Sequence, residues 1–454
     1  MLTDYESRQA LHHRTISVVM ASQVFSGAGL AAGVTVGALL AEDMLGTSRL
    51  SGLPSALFTA GSAATALGVG RLSQRLGRRA GLTAGYAAGA LGGAGVVVAA
   101  ALGNIVLLLV CLLVYGAGTA TNLQARYAGA DLVEPGRRGR AVSSVLVATT
   151  VGAVIGPNLV SVTGRVAERW GIPALAGPFA LSAAAYAVAG TILFLLLRPD
   201  PLLVSRALPP EEPQAAAGPA TASTAGSAQA SAAGSAQASR AGSAQASTAG
   251  SAQASAAGPA RAGTIAGAVP AGSGGVLAGA ATMVLTQLTM VAVMTMTPVH
   301  MKAHGHDLAA TGLVIAVHIA AMYLPSPITG ILVDRVGRVP VAVASGVTLL
   351  GAGLVSATAP DDSVPLLALA LALLGLGWNL GLVAGTAMIT DAAPLETRAR
   401  TQGTVDLCVA LAGAGGGITS GLLMAATSYA ALSITGGLLA LAVIPFVVTT
   451  ARRT

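Results

Sequence analysis

The chain predicts an all-α integral membrane fold of twelve transmembrane helices, arranged as two pseudo-symmetric six-helix halves. Three observations predict it. Hydrophobic residues make up 54% of the 454 residues and charged residues only 9%, with a mean hydropathy of +0.75; no water-soluble core has that much apolar surface to bury. Apolar runs of about 20 residues, the length that spans a bilayer, recur along the whole sequence. Two short motifs of the first half return in the second half at one common offset.

Twelve runs are expected to span, near 15–41, 51–70, 80–103, 105–129, 142–164, 174–197, 275–299, 308–332, 340–359, 364–388, 402–425 and 429–450. The 59 glycines and the abundant alanines suit membrane helices that pack closely. The start, Met1-Leu2-Thr3-Asp4-Tyr5-Glu6, carries no basic segment ahead of an apolar one and no cleavage site, so no removable signal peptide is expected. Orientation follows from the distribution of positive charge. With both termini cytoplasmic, all of the 24 Lys and Arg lie inside except Arg49, Arg165, Arg169 and Lys302. The formal net charge of +7 then faces the anionic surface of the lipid bilayer and is not a nucleic-acid footprint. Cys111 and Cys408 both fall in predicted spans and form neither a disulfide framework nor a Cys-x-x-Cys site; they read as small buried apolar side chains.

The first half is expected over 1–199 and the second over 275–454. Residues 200–274 are rich in Ala, Gly, Ser and Pro and repeat with a period of eight, Gly226, Gly234, Gly242 and Gly250 each opening Gly-Ser-Ala-Gln-Ala-Ser. Lacking large apolar side chains, this segment is expected to be a disordered cytoplasmic tether.

The repeated motifs follow the second and eighth spans and the fourth and tenth. Gly70-Arg-Leu-Ser-Gln74-Arg75-Leu-Gly77-Arg78-Arg79 corresponds to Gly330-Ile-Leu-Val-Asp334-Arg335-Val-Gly337-Arg338, 260 residues later. Asp131 and Arg138-Gly-Arg140 correspond to Asp391 and Arg398-Ala-Arg400 at the same offset. Two independent motifs sharing an offset point to a duplicated six-helix unit, and parallel halves of this kind enclose a site near the bilayer midplane. The pattern resembles the signature of the major facilitator superfamily, and the resemblance covers the chain apart from the linker. It implies alternating access, with the motif residues acting in gating. Gln74 stands where that family usually has Asp. A neutral side chain there is expected to weaken the cytoplasmic lock and bias the resting protein toward facing inward.

A separate cluster points to chemistry. Six of the 11 methionines and four of the six histidines lie between 283 and 322. At 100° per residue Met283, Met290, Met294 and Met301 fall within about 20° of one direction, a single stripe along the seventh span. Met290 and Met294 are spaced i,i+4, as are His318 and Met322 in the eighth span, so each pair shares a helical face. Thioether and imidazole together suit a soft cation such as Cu(I), whereas a hard ion would need oxygen ligands. His300, Met301, His304 and His306 are placed at the outer mouth as a possible path for the metal, with Met283 extending it inward. A stripe of methionine also reads as core packing, and His318 as a proton carrier or an interhelical hydrogen-bond donor.

Met-x-x-x-Met over Met290 and Met294 with His-x-x-x-Met over His318 and Met322 resembles the paired motifs of the CcoA-like copper importers, a branch of the same superfamily. That resemblance implies copper import across a bacterial inner (cytoplasmic) membrane, serving cytochrome oxidase assembly. Copper is then the cargo rather than a resident cofactor, and copper chaperones are possible partners. The competing reading is a proton-coupled exporter of drugs or other small organic solutes. Against it stand an aromatic content of only 3%, the placement of Asp131, Asp391 and Asp406 toward the cytoplasmic side, and His318 as the main titratable group left within the membrane. Trp378, Asn379, Asn122 and Asn158 could line a polar cavity, and also read as structural packing. No catalytic constellation is visible, and an enzyme is not expected.

Overall fold

A computed structural model describes residues 5–45, 52–208 and 273–451, and every helix longer than one turn among them is an α-helix, with no strand. The first half comprises α1 (Tyr5–Leu45), α2 (Gly52–Leu76), α3 (Arg78–Ala101), α4 (Ile105–Ala130), α5 (Arg138–Asn158), α6 (Val160–Arg169) and α7 (Gly177–Leu196). A short α8 (Pro201–Ala207) follows. The second half comprises α9 (Ser273–Ala303), α10 (Leu308–Tyr323), α11 (Ser326–Arg335), α12 (Arg338–Thr358), α13 (Val364–Ala392), α14 (Arg398–Ala426), α15 (Tyr429–Ala440) and α16 (Val443–Ala451).

Among the described residues, nine stretches are long and apolar enough to cross a membrane. The other three predicted spans are helical too, as α1, α2 and α5, but glycine, serine and threonine dilute their apolar character. All twelve predicted spans are therefore helical. Three of them are each broken into two helices, between α5 and α6, α10 and α11, and α15 and α16. A proline stands at or near each break, Pro157, Pro325 and Pro445. Proline lacks an N–H, and its ring clashes with the carbonyl one turn earlier. In the membrane the freed groups need protein partners. At the α10–α11 break Asn379 of α13 supplies them: its Nδ2 donates to the Met322 carbonyl and to Ser326 Oγ, each at 2.7 Å, and its Oδ1 accepts from Thr329 Oγ1 at 2.6 Å.

The expected linker is ordered at both edges. Asp200 caps α8, its Oδ1 accepting from Leu202 N and Leu203 N at 3.0 and 3.2 Å, while its Oδ2 accepts from Arg79 N at 2.7 Å at the start of α3. One carboxylate thus satisfies two helix N-termini, which carry orphan N–H groups and partial positive charge. The repeats at Gly226, Gly234, Gly242 and Gly250 lie outside the described residues. Cys111 is half-buried, but Cys408 is exposed on the surface of α14, so the expectation of a buried thiol fails there.

Close packing depends on small residues. A Cβ added at Gly116 of α4 would meet the Phe58 carbonyl of α2 at 2.2 Å, and one at Gly61 of α2 would meet the Leu113 carbonyl at 1.7 Å. Beside this contact Tyr115, Phe179 and Tyr186 cluster with ring centroids 5.3–5.8 Å apart. Replacing Gly116 with Leu must push α2 from α4, an overpacking cost of about 1–3 kcal/mol. We expect a lowered thermal unfolding midpoint in detergent for Gly116→Leu and no change for Gly136→Ala, where nothing lies within 4 Å.

Candidate functional site

The repeated motifs converge at one end of the bundle, where α2 meets α14 and α5 meets α11; these two pairs carry most of the contact between the halves. The N-terminus of α5 offers the backbone N–H groups of Gly139 and Arg140. Asp334 of α11 accepts both, at 2.8 and 3.0 Å, and its Oδ2 also accepts from Arg140 Nε at 3.1 Å. At the equivalent place in the other repeat, Gln74 Oε1 accepts from Ala399 N and Arg400 N of α14 at 2.8 and 3.3 Å. Gln74 Nε2 in turn donates to the carbonyls of Leu395 and Glu396. The expectation that neutral Gln74 weakens the lock is therefore corrected. A carboxamide both accepts from the helix N-terminus and donates to the preceding loop, whereas a carboxylate can only accept. In this conformation the arginine-rich end is shut, with Gln74 among the groups that close it.

Around these caps run two symmetry-related charge networks. Arg78 donates to Asp131 Oδ2 at 2.7 Å and Oδ1 at 3.3 Å, both side chains being buried, and also to Gln402 Oε1 across the halves. Its repeat partner Arg338 donates to Asp391 Oδ2 at 2.9 Å and reaches the Pro135 carbonyl of the first half. Arg138 joins Asp391 from the opposite half and also donates to the Val133 carbonyl, as Arg398 does to that of Ala393. Gly70 and Gly403 face each other, as do Gly139 and Gly330, and a Cβ at any of the four would fall within 3 Å of opposing backbone. Gly77 and Gly337 precede α3 and α12 at φ +94° and +107°, a region that favours glycine. Arg75 and Arg335 are exposed beside the latch.

Beyond the latch lies a cavity of about 310 Å³ lined from both halves. Phe58, Ser62 and Asn122 face it from the first half, and Gln287, Met290, Met322, Tyr323, Trp378 and Asp406 from the second. Trp378 Nε1 donates to Gln287 Oε1 at 2.7 Å, and the Tyr323 ring stands edge-on to Trp378 at 5.8 Å. The low aromatic content is misleading, because folding brings three of the few large rings to the cavity, Tyr323 and Trp378 from one half and Phe58 from the other. Asn122 Nδ2 donates to Ser26 Oγ at 2.6 Å, within a buried network that includes Gln23 and Tyr86.

Asp406 is the residue that the sequence reading misplaced. It lines the cavity, and its Oδ1 accepts from Arg126 Nη2 at 2.7 Å and Tyr127 Oη at 3.2 Å. Arg126, from α4, also donates to Thr386 Oγ1 of α13 at 3.0 Å and lies over the Tyr127 ring. The pair joins the two halves in a buried setting, and Asp406 Oδ2 is buried without a protein donor. A usable signal existed in the sequence: Asp406 lies eight residues into α14, roughly 12 Å from its start at 1.5 Å per residue.

The four expected metal ligands fall in different surroundings. Met290 and Met322 line the cavity, whereas His318 and Met294 are not among its lining residues. His318 is fully buried; its Nδ1 is 2.9 Å from the Leu371 carbonyl of α13, and its Nε2 is buried without a protein partner. The reason is helix packing, since α10 lies along α13 and touches α9 only sparsely. Met283 and Met301 are buried in the core, Met283 against Gly385 and Thr386 of α13. At the far end His300 and His304 do come together, beside Asp361; His306 Nε2 instead sits 2.7 Å from the Asp361 carbonyl.

Comparison with known proteins agrees with this architecture. A family model described as Major Facilitator Superfamily matches residues 19–224 and 279–454. The chain is 52% identical over 443 residues to the "Uncharacterized MFS-type transporter YdeG" of Bacillus subtilis, covering 98% of this chain and 93% of that one. It is 26% identical over 397 residues to the "Riboflavin transporter RfnT" of Brucella anthropi, covering 87% and 84%. The solved structure of the human organic anion transporter MFSD10 (TETRAN) superposes with a TM-score of 0.69 at 15% identity, covering 96% of this chain and 99% of that one.

Gln74→Ala removes the α14 cap, four hydrogen bonds worth about 0.5–1.5 kcal/mol each. Spin labels on α2 and α14 at the arginine-rich end should report a wider distance distribution in this variant than in wild type. Unchanged distances would mean that the cap does not hold this end shut.

Proposed function

The chain belongs to the major facilitator superfamily, and on that premise we propose that this membrane transporter carries a small organic solute by alternating access, coupled to protons at Asp406. The observation that carries the reading is the central cavity, with its aromatic wall, its amides and a single buried carboxylate held from the opposite half. Small-molecule sites have this mixture of apolar walls and a few convergent polar groups.

Asp406 suits a coupling role because Oδ2 is left to bind a proton while Oδ1 holds Arg126. A buried ion pair is costly to half-break, so protonating Asp406 releases Arg126, which keeps Thr386 and Tyr127 as partners. The carboxylate rides on α14 and the guanidinium on α4, so the proton changes an attraction between the halves. Opening the arginine-rich end then requires Gln74 and Asp334 to leave the N-termini of α14 and α5. With positive charge inside, that end is the cytoplasmic face of the cell inner membrane, and both termini lie on that side.

Copper remains the second reading, because two soft donors, Met290 and Met322, do face the cavity. Organic cargo is preferred because the aromatic wall, amides and buried carboxylate of the cavity suit it, and His318 is not among the residues that line it. The printed name of the Brucella relative, a riboflavin transporter, supports the same choice.

The test uses proteoliposomes challenged with riboflavin, with a small-molecule cell extract read by mass spectrometry, and with isotopic copper. We expect an organic solute to accumulate under an imposed pH gradient. In Asp406→Asn that dependence on the gradient should disappear, and Trp378→Ala should lower uptake at least tenfold. Copper accumulation with no organic solute taken up would reverse the assignment.

A further inference from the structure

At the end of the bundle opposite the arginine-rich loops, α9 carries His300 in its last turn and ends at Ala303, with His304 directly after it. Gly305, the next residue, turns the chain away at φ +81°. Asp361 approaches from the loop between α12 and α13. His300 Nε2 is 3.4 Å from Asp361 Oδ1, and His304 Nε2 is 3.5 Å from Asp361 Oδ2. All three ligand atoms lie within 4.8 Å of one another.

The orientation of His304 is informative. Its Nδ1 lies 2.8 Å from the His300 carbonyl, an oxygen that can only accept, so Nδ1 carries the hydrogen. The neutral ring therefore turns the lone pair of Nε2 toward a carboxylate. A cation bound between the two would pair with both acceptors. Both separations exceed the usual N–H···O range of about 2.7–3.2 Å. They do match the edge of a tetrahedron around a metal: bonds of about 2.0–2.2 Å to nitrogen and oxygen set neighbouring ligands roughly 3.3–3.6 Å apart.

The surroundings hold these groups in place, as outer partners do around metal-binding imidazoles. Tyr429 of α15 stacks on the His300 ring at 4.2 Å and 12°, and its hydroxyl is 2.8 Å from Thr297 Oγ1. His306 fixes the Asp361 loop through the backbone carbonyl. A recess of about 370 Å³, lined by His300, His304, Asp361 and Tyr429 together with Ser428 and Met424, leaves room for a fourth ligand such as water.

We propose that His300, His304 and Asp361 form a binding site for a divalent transition-metal ion of the Zn²⁺ class. Two imidazoles and one carboxylate suit such an ion, whereas Mg²⁺ and Ca²⁺ need oxygen shells. Cu(I) favours thioether or thiolate; Met301, the methionine adjoining His300, is fully buried, which leaves Met424 as the one thioether lining the recess beside three nitrogen and oxygen donors. When bound, the ion ties the outer end of α9 to the α12–α13 loop, inside the second half. The site shares no lining residue with the central cavity, so its test is independent of the transport reading.

The test is zinc titration of the purified full-length protein, carrying an affinity tag without histidine, in competition with a chromogenic chelator. One Zn²⁺ per chain is expected, with Co²⁺ showing the visible spectrum of a tetrahedral nitrogen and oxygen site. His304→Gln and Asp361→Asn should each weaken zinc binding at least tenfold while leaving the metal-free thermal midpoint unchanged, and His306→Ala should change it less than threefold. Wild-type affinity equal to that of the His304→Gln, Asp361→Asn double variant would overturn the proposal, as would a clear preference for Cu(I) over Zn²⁺. A fall in metal-free stability that accounts for the lost binding would also overturn it, by making these residues structural.

Discussion

The capping of two helix N-termini by side chains from the opposite half is the interaction on which the rest of this structure depends. The first N–H groups of α5 and α14 have no partner within their own helices and carry the positive end of the helix dipole. Asp334 satisfies one set and Gln74 the other, each across the interface between halves. Because the backbones must come within reach of a short side chain, glycine faces glycine beside each cap. Closure at this end fixes the angle between the halves and leaves the central cavity beyond it.

Symmetry is closely kept in the latch and abandoned at the cavity. Arg78 with Asp131 and Arg338 with Asp391 are the same device repeated. The Arg126–Asp406 pair has no repeat: the corresponding positions hold Thr386 and Leu146. A rocking movement needs two matched hinges, so duplication serves it well. Recognition of one solute in one orientation needs unlike walls, and a coupling charge needs a single place. Arg126 ties the two properties together, since its fork spans Asp406 and Thr386 on two helices of the other half.

The methionine and histidine cluster shows how a linear pattern is divided by packing. Residues within 40 positions of one another part into three environments: Met290 and Met322 at the cavity, Met283, Met301 and His318 in the core, and His300 and His304 at the far end. Helical spacing fixes which residues share a face of one helix. It does not fix the helix that the face meets. Here α13 lies against both α9 and α10 and takes up the side chains that would otherwise meet each other.

The sequence by itself determined the helical membrane fold, the twelve spans and the duplication, because span length, hydropathy and a repeated motif are local properties that the bilayer constrains strongly. It also marked the residues of the latch, since Arg78, Asp131 and Arg138 recur as Arg338, Asp391 and Arg398 at one offset. Only the tertiary structure decided what those residues do. Gln74 looked like a lost charge and is a complete cap, because hydrogen-bond partners rather than charge set its contribution. Asp406 looked peripheral and belongs to the cavity, because its neighbours Arg126 and Tyr127 come from the other half, some 280 residues away in the chain. Asp361 carried no pattern at all and joins two histidines through a loop contact. Pairings across long separations are set by how faces fit together, and that information is spread over every helix at once.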